Sequence, residues 1–125
     1  MMTIDNTKAE ILTASKKWIA AFNIGDINYC SEQYLEQAVM DARPMGQYKG
    51  RTEIYDFWQN FVTSTGATNL IYTDVHIEVI DKDSAKLSAK WSMNVGKGFI
   101  TKEFWVKKDG VWRFSEDDFT VEEQF

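Results

Sequence analysis

Apolar and polar residues alternate along the C-terminal part of the chain, over residues 84–120. Between Ala85 and Val95, apolar side chains occupy every second position, and lysine, serine and asparagine stand between them. This period of two, with one apolar face, is typical of a half-buried β-strand. The pattern predicts three long antiparallel strands over residues 84–95, 99–107 and 111–120, followed by a short tail.

Two more strands are predicted upstream. Residues 70–81 alternate in the same way, with Tyr72 and His76 on the more polar face. Residues 37–43 predict another strand, which ends at Pro44 because proline lacks the N–H needed for sheet pairing. The residues between this proline and the next helix predict a loop.

Helical spacing of apolar residues predicts three helices. The first, over residues 7–23, carries Trp18 and Phe22 on one stripe, and Thr7 with Glu10 matches a capping box at its start. A short second helix is predicted over residues 27–35, and a third over residues 50–63. The third helix has a strong apolar stripe formed by Ile54, Phe57, Trp58, Phe61 and Val62.

Helices at the start and strands at the end of a short chain predict one α+β domain over residues 1–125, with the helices packed on one face of a curved antiparallel sheet. The strand over residues 99–107 is nevertheless apolar on both faces, with Phe99 and Trp105 on one and Ile100, Phe104 and Val106 on the other. Because a second apolar face needs a cover, we predict a homodimer through the outer sheet face. Packing of the C-terminal tail, including Phe125, is the alternative.

Charge and composition exclude several classes of protein. The net charge is −5, and the 14 lysines and arginines are scattered, so neither a nucleic-acid surface nor an anionic membrane surface is expected. One cysteine and one histidine provide no zinc spacing, and no Gly-rich phosphate loop is present, so no metal or cofactor is expected. The first residues lack an apolar signal region, and no apolar run reaches ~20 residues, which favours a cytoplasmic protein.

Three segments resemble the nuclear-transport-factor-two-like superfamily: residues 18–26, 50–58 and 108–114. The superfamily includes ketosteroid isomerases, SnoaL-like polyketide cyclases, scytalone dehydratase and limonene epoxide hydrolase. The resemblance covers nearly the whole chain, and it implies a cone-shaped sheet wrapped around the first helix, with a pocket for a small apolar molecule at the open end. Together with the periodicity, it assigns the pocket lining to Trp18, Phe22, Tyr34, Met40, Phe57, Trp58, Phe61, Trp91, Met93, Trp105 and Phe119.

The resemblance also suggests where chemistry would occur. Glu103 occupies the place of a protonated aspartate that ketosteroid isomerases use as an oxyanion donor, and Trp18 stands where they have a tyrosine. Ala42 and Arg43 stand where their aspartate base precedes a Pro-aromatic-Gly loop. Limonene epoxide hydrolase uses an Asp-Arg-Asp relay, for which Glu103 and Asp117 could supply the acids. SnoaL-like cyclases rely on a His–Asp arrangement, for which His76 is the available histidine.

Glu103 and Asp117 are the best candidates for acid/base catalysis. A carboxyl group among aromatic side chains is poorly solvated, which raises its pKa toward neutrality. Alternatively, Asp117 belongs to a solvated acidic run at a sheet edge, and Glu103 pairs with Lys90 or Arg113 on a neighbouring strand. Asp41 and Arg43 share a strand face and could bind a substrate at the pocket mouth, or form a surface ion pair.

These residues predict a cofactor-free enzyme of the isomerase, cyclase or hydrolase type that acts by proton transfer on a small apolar ring-like substrate. Two alternatives stay open. One is a non-catalytic ligand-binding or dimerisation module of the same fold. The other is a protein adaptor like the transport factors. We expect His76 to be exposed or in the dimer interface, and Cys30 to be a small buried core residue.

Overall fold

The computed structural model describes residues 4–125, with side chains described from residue 6 onward. Within this range three helices and six strands follow one another, which confirms the α+β class. They are α1 (Ile4–Asn23), α2 (Ile27–Glu32), β1 (Tyr34–Arg43), β2 (Gly46–Lys49), α3 (Arg51–Thr65), β3 (Ile71–Asp81), β4 (Ser84–Met93), β5 (Gly96–Lys108) and β6 (Val111–Gln124).

Two helix boundaries differ from the prediction. Helix α1 begins at Ile4, upstream of the predicted cap at Thr7. Thr7 is instead buried on the stripe that contains Ile11, and burial on that stripe outweighs its preference for a cap. Helix α2 ends at Glu32, capped at its start by the Asp26 carboxylate. It ends there because the next segment pairs with β6, and the Phe114 amide donates to the Gln33 carbonyl.

The six strands form one curved, unclosed sheet in the order β2-β1-β6-β5-β4-β3. All neighbours are antiparallel except β1 and β6, which are parallel. Strand β2 lies where a loop was expected, because the chain turns at Pro44 and Met45 and pairs back onto β1, with Met40 opposite Tyr48.

The C-terminal strand continues past the predicted boundary. β6 pairs with β5 as far as Gln124, opposite Gly96, so most of the predicted tail is strand. This pairing depends on a close backbone approach: a Cβ atom on Gly98 would lie 1.9 Å from the Thr120 carbonyl oxygen. Phe125 lies beside Met45 and Phe61 at one end of the sheet, 69% exposed, rather than over the outer face.

Register shifts in β5 change which side chains share a face. The shift between Ile100 and Lys102, where Thr101 is the extra residue of β5, places Ile100, Glu103 and Trp105 together on the buried inner face. The predicted faces of Phe99 and Ile100 are therefore wrong. Phe99 was placed on the face of Trp105 and Ile100 on the opposite face, but an extra residue at a bulge reverses the alternation. The outer face retains apolar side chains, namely Phe99, Phe104 and Val106.

The helices cover the inner face and form one hydrophobic core with it. Cys30 is fully buried there, as predicted, and His76 is exposed on β3. Aromatic side chains connect the layers: Trp18 of α1 makes edge contacts with Trp58 of α3 and Phe114 of β6. Within residues 4–125, no helix has the length and apolar character needed to cross a membrane.

Candidate active site

An apolar cavity of about 40 Å³ lies between the helices and the inner face of the sheet. Most of the predicted pocket residues line it, and Asp117 is the one charged group that the described side chains contribute to its wall. The lining consists of Trp18, Phe22, Met45, Phe57, Trp58, Phe61, Leu70, Tyr72, Trp91, Met93, Ile100, Phe114, Asp117, Phe119 and Val121.

Three predicted lining residues lie behind this wall instead. Trp105 and Tyr34 are almost completely buried and pack against Phe114, with ring centroids 4.0 and 4.6 Å apart. Phe114, which the prediction did not include, therefore separates both rings from the cavity. Met40 is also fully buried, and its sulfur lies 4.0 Å from the Tyr34 hydroxyl.

Asp117 projects from the inner face of β6 and is 5% exposed, so it does not belong to a solvated acidic run. The Tyr34 hydroxyl donates a hydrogen bond to its Oδ2 atom over 2.6 Å. The Trp58 indole N–H in turn donates to the Tyr34 hydroxyl oxygen over 3.2 Å. This chain of donors holds one carboxylate oxygen and orients the carboxyl group toward the apolar cavity.

Glu103 is the direct neighbour of Asp117 across the β5–β6 pair. It is 1% exposed and accepts two hydrogen bonds, from the Tyr72 hydroxyl at 2.7 Å and from the Trp105 indole at 3.0 Å. The alternative, in which Lys90 or Arg113 pairs with Glu103, is not observed, because both cations have other partners. Lys90 pairs with Asp74, and Arg113 donates to the Glu32 carbonyl.

Burial changes the acidity of both carboxyl groups. Loss of hydration and then the neighbouring Asp117 charge raise the pKa of Glu103 to about 8. Loss of hydration raises the pKa of Asp117 to about 7, although the Tyr34 hydrogen bond opposes this shift. Because the two charges interact, the apparent values belong to the pair. Near neutral pH the arrangement can hold one proton, which provides an acid and a base side by side.

Tyr72 is the functional side chain that the sequence pattern placed on the wrong face. Its ring lines the cavity and its hydroxyl reaches Glu103, so it connects this buried acid to the cavity. The alternation in β3 breaks after it, where the register shifts and Asp74 adopts a φ of 52°. An aspartate among β-branched residues is the local signal for such a break, because Asp tolerates the left-handed conformation.

Asp41 and Arg43 lie on the opposite face of β1 from the buried Ala42. Arg43 forms an ion pair with Asp118, and Asp41 accepts a hydrogen bond from Gln47. Both side chains therefore have surface partners, but each binds a different residue, and the expected ion pair between Asp41 and Arg43 is not the contact that forms.

The groups that the resemblance suggested are only partly assembled. The Trp18 indole donates to the Cys30 carbonyl over 3.1 Å, so this N–H is not free to bind an oxyanion. His76, the one histidine of the chain, is exposed on β3 and does not contact the two acids. The carboxyl pair, with its two tyrosines, is thus the arrangement capable of proton transfer.

Solved structures of other proteins share this fold. Aln2 from a Streptomyces species superimposes with a TM-score of 0.87 at 12% identity, covering 98% of this chain and 95% of that chain. A candidate scytalone dehydratase from Novosphingobium aromaticivorans has a TM-score of 0.82 at 12% identity, covering 98% and 91%. A cystatin-like protein of unknown function from Nostoc punctiforme also reaches 0.82, at 15% identity, covering 97% and 94%.

At these identities the likeness establishes the fold and not the activity. Comparison with curated proteins found no significant match. The sequence of residues 6–117, however, matches the model of the SnoaL-like domain. The chain therefore belongs to the SnoaL-like domain family of the nuclear-transport-factor-two-like superfamily.

Proposed function

We propose that this protein is a cofactor-free enzyme that transfers protons on a small, mostly apolar, ring-like substrate, in an isomerisation, cyclisation or hydrolysis. One observation carries the proposal. A buried aspartate with a raised pKa forms part of the wall of an otherwise apolar cavity, beside a second buried acid. General acid/base catalysis requires groups whose pKa values lie near neutral pH, as those of these two carboxyl groups do.

The two acids have different roles in this mechanism. Asp117 forms part of the cavity wall and Glu103 does not, so the Asp117 carboxylate removes a proton from the substrate. Glu103 holds its own proton and lies behind Tyr72. A protonated Glu103 donates to the Tyr72 oxygen, which leaves the Tyr72 O–H free to donate to the oxygen on which negative charge develops. The proton on Asp117 then returns to a different atom of the substrate.

A ring-shaped substrate requires the cavity to widen. A cavity of roughly 150 Å³ holds a benzene ring, whereas the cavity here is about 40 Å³. Met45 and Met93 belong to its wall, and Met45 is 38% exposed. Methionine side chains are unbranched and adapt their shape readily, so we propose that these two move aside when the substrate enters.

A pH titration of the side-chain carboxyl carbons by NMR tests the proposal directly. Glu103→Gln and Asp117→Asn assign the two signals. We expect at least one of them to titrate with a midpoint above ~6, because burial disfavours the charged form. Ordinary midpoints near ~4 for both carboxyls would contradict the proposed enzyme and favour the alternative below.

The alternative is a binding module without chemistry. Its support is that Ala42 and Arg43 stand at the base position of ketosteroid isomerases, and that Arg43 pairs with Asp118 at the surface. This module would hold an apolar ligand in the same cavity. Binding of ring ketones or epoxides without any turnover would favour it.

We also propose a homodimer through the outer face of β5, where Phe99, Phe104 and Val106 lie. Sedimentation velocity at micromolar concentration is expected to give the mass of a dimer. Phe104→Lys should shift the protein to a monomer, because it places a charge in an apolar interface. Ile24→Lys, which alters an exposed apolar residue between α1 and α2 and so outside β5 and β6, is the matched control. A monomeric wild-type protein would contradict the proposal.

Other expectations from the sequence stay predictions. These are the cytoplasmic location, the absence of a cofactor and the absence of a nucleic-acid partner. The adaptor alternative would require a partner protein bound to an exposed apolar surface.

A further inference from the structure

The indole N–H of Trp91 is a buried donor for which the described residues around it provide no acceptor. The residue lies on the inner face of β4, is 7% exposed and lines the cavity. Its ring packs over Gly98, where a Cβ atom would lie 2.8 Å from the indole, and it makes an edge contact with Phe119. Within the part of the chain whose side chains are described, the buried Trp91 Nε1–H has no hydrogen-bond partner.

The other four tryptophans show how unusual this is. Each of their indole N–H groups donates a hydrogen bond: Trp18 to the Cys30 carbonyl, Trp58 to Tyr34, Trp105 to Glu103 and Trp112 to Glu10. A buried donor without a partner is destabilising, and native proteins contain few of them. An unpaired donor in a cavity wall is therefore expected to be satisfied by the molecule that the cavity binds.

We propose that the Trp91 indole N–H is a substrate-binding donor, and that the substrate is a neutral apolar ring compound with an acceptor oxygen, such as a ketone or an ether. The inference rests on the proposed function, because it takes this cavity as the substrate site. An acceptor is required because the indole N–H can only donate. A neutral molecule is required because Asp117 stands in the same wall and would repel an anion.

The position of Trp91 indicates that it binds the substrate and takes no part in the proton transfer. Trp91 is paired across strands with Tyr72, whose hydroxyl extends to Glu103. The indole belongs to the same wall as Tyr72 but does not contact either acid through a hydrogen bond. It therefore acts as a specificity-determining residue, which selects and orients a substrate oxygen while the carboxyl pair moves the proton.

Two small probes that differ by one carbonyl oxygen test the inference: acetophenone and ethylbenzene. In proton–nitrogen correlation NMR of the wild-type protein, acetophenone is expected to move the Trp91 indole proton downfield, because a new hydrogen bond forms. Ethylbenzene should not produce this shift. The Trp112 indole, which donates to Glu10, is outside the cavity and is the internal control.

Trp91→Phe retains an aromatic ring and removes the donor. We expect this variant to bind acetophenone about tenfold more weakly, the loss of roughly one hydrogen bond, with the affinity for ethylbenzene unchanged. Trp112→Phe is the matched control and should alter neither affinity. An equal loss for both probes would overturn the inference. So would a wild-type Trp91 signal that acetophenone leaves unmoved, a measurement that does not depend on the folding of the variant.

The same experiment distinguishes this inference from the proposed function. Asp117→Asn should retain the acetophenone-induced shift of the Trp91 signal, because it removes the base and leaves the donor in place. If this variant retains full turnover while the shift is present, the proposed function fails and the binding role of Trp91 stands. If turnover requires Asp117 and the shift is absent, the proposed function stands and the role of Trp91 is wrong.

Discussion

Asp117→Asn is expected to lower kcat by roughly 10²- to 10⁴-fold, with little change in substrate affinity. Asparagine has nearly the same shape as aspartate but cannot accept a proton from the substrate. It can still accept the hydrogen bond that the Tyr34 hydroxyl donates to Oδ2, so the cavity wall is expected to keep its form. Steady-state kinetics with ring ketones, epoxides and polyketide-like compounds would measure the effect, and binding would be measured separately.

Two other variants show whether the loss of kcat is specific to Asp117. Glu116→Gln removes a carboxylate from the preceding position of β6, where it is exposed and pairs with Lys102, so it should leave kcat unchanged. Glu103→Gln should lower kcat less than Asp117→Asn and should alter the pH profile, because Glu103 acts through Tyr72. If Asp117→Asn retained wild-type turnover on a substrate that the cavity binds, Asp117 would not be the base.

The folded protein is expected to lose stability as the pH rises from about 5 to about 8. Burial raises the pKa of Glu103 to about 8 and that of Asp117 to about 7, whereas both groups have values near ~4 in an unfolded chain. Between these limits the folded state binds more protons than the unfolded state, so unfolding releases protons and a higher pH favours it. The combined loss in the free energy of unfolding is on the order of several kcal/mol.

Urea denaturation at a series of pH values would measure this loss. The double variant Glu103→Gln with Asp117→Asn is the control, because it has neither buried ionisable group and should show a much flatter dependence. The direction of the effect is diagnostic. Carboxylates stabilised by salt bridges would have lowered pKa values, so their stabilising contribution would change only below about pH 5 and would stay constant from about pH 5 to about pH 8. A free energy of unfolding that stays constant or rises in the wild-type protein between these pH values would contradict buried, poorly solvated acids.

Regular periodicity made much of the fold predictable. Helix α3 was assigned from five apolar residues at helical spacing, and Ile54 and Trp58 of that stripe are buried. In β4, Trp91 was placed on the inner face by simple alternation, as observed. These predictions succeeded because a side chain's face is determined locally wherever an element is uninterrupted.

Irregular backbone limited the prediction of the site. Both tyrosines that donate to the carboxyl groups were misplaced: Tyr34 was assigned to the end of α2, and Tyr72 to the polar face of β3. Tyr34 belongs to a strand because it pairs with Phe114 far along the chain, and Tyr72 faces inward because the register shifts beyond it. The pairing of Tyr34 is not visible in a window of neighbouring residues, whereas Asp74 is a local but weak signal of the break in β3.

The sequence by itself determined the α+β class, the aromatic inner faces and the two candidate acids, because each follows from spacing within one segment. Only the tertiary structure decided that Glu103 and Asp117 are neighbours, that Tyr34 and Tyr72 donate to them, and that the cavity is small. The hydrogen bond from Tyr34 to Asp117 joins residues 83 positions apart. Such contacts depend on strand order and register, and the free volume depends on how side chains from every element pack together.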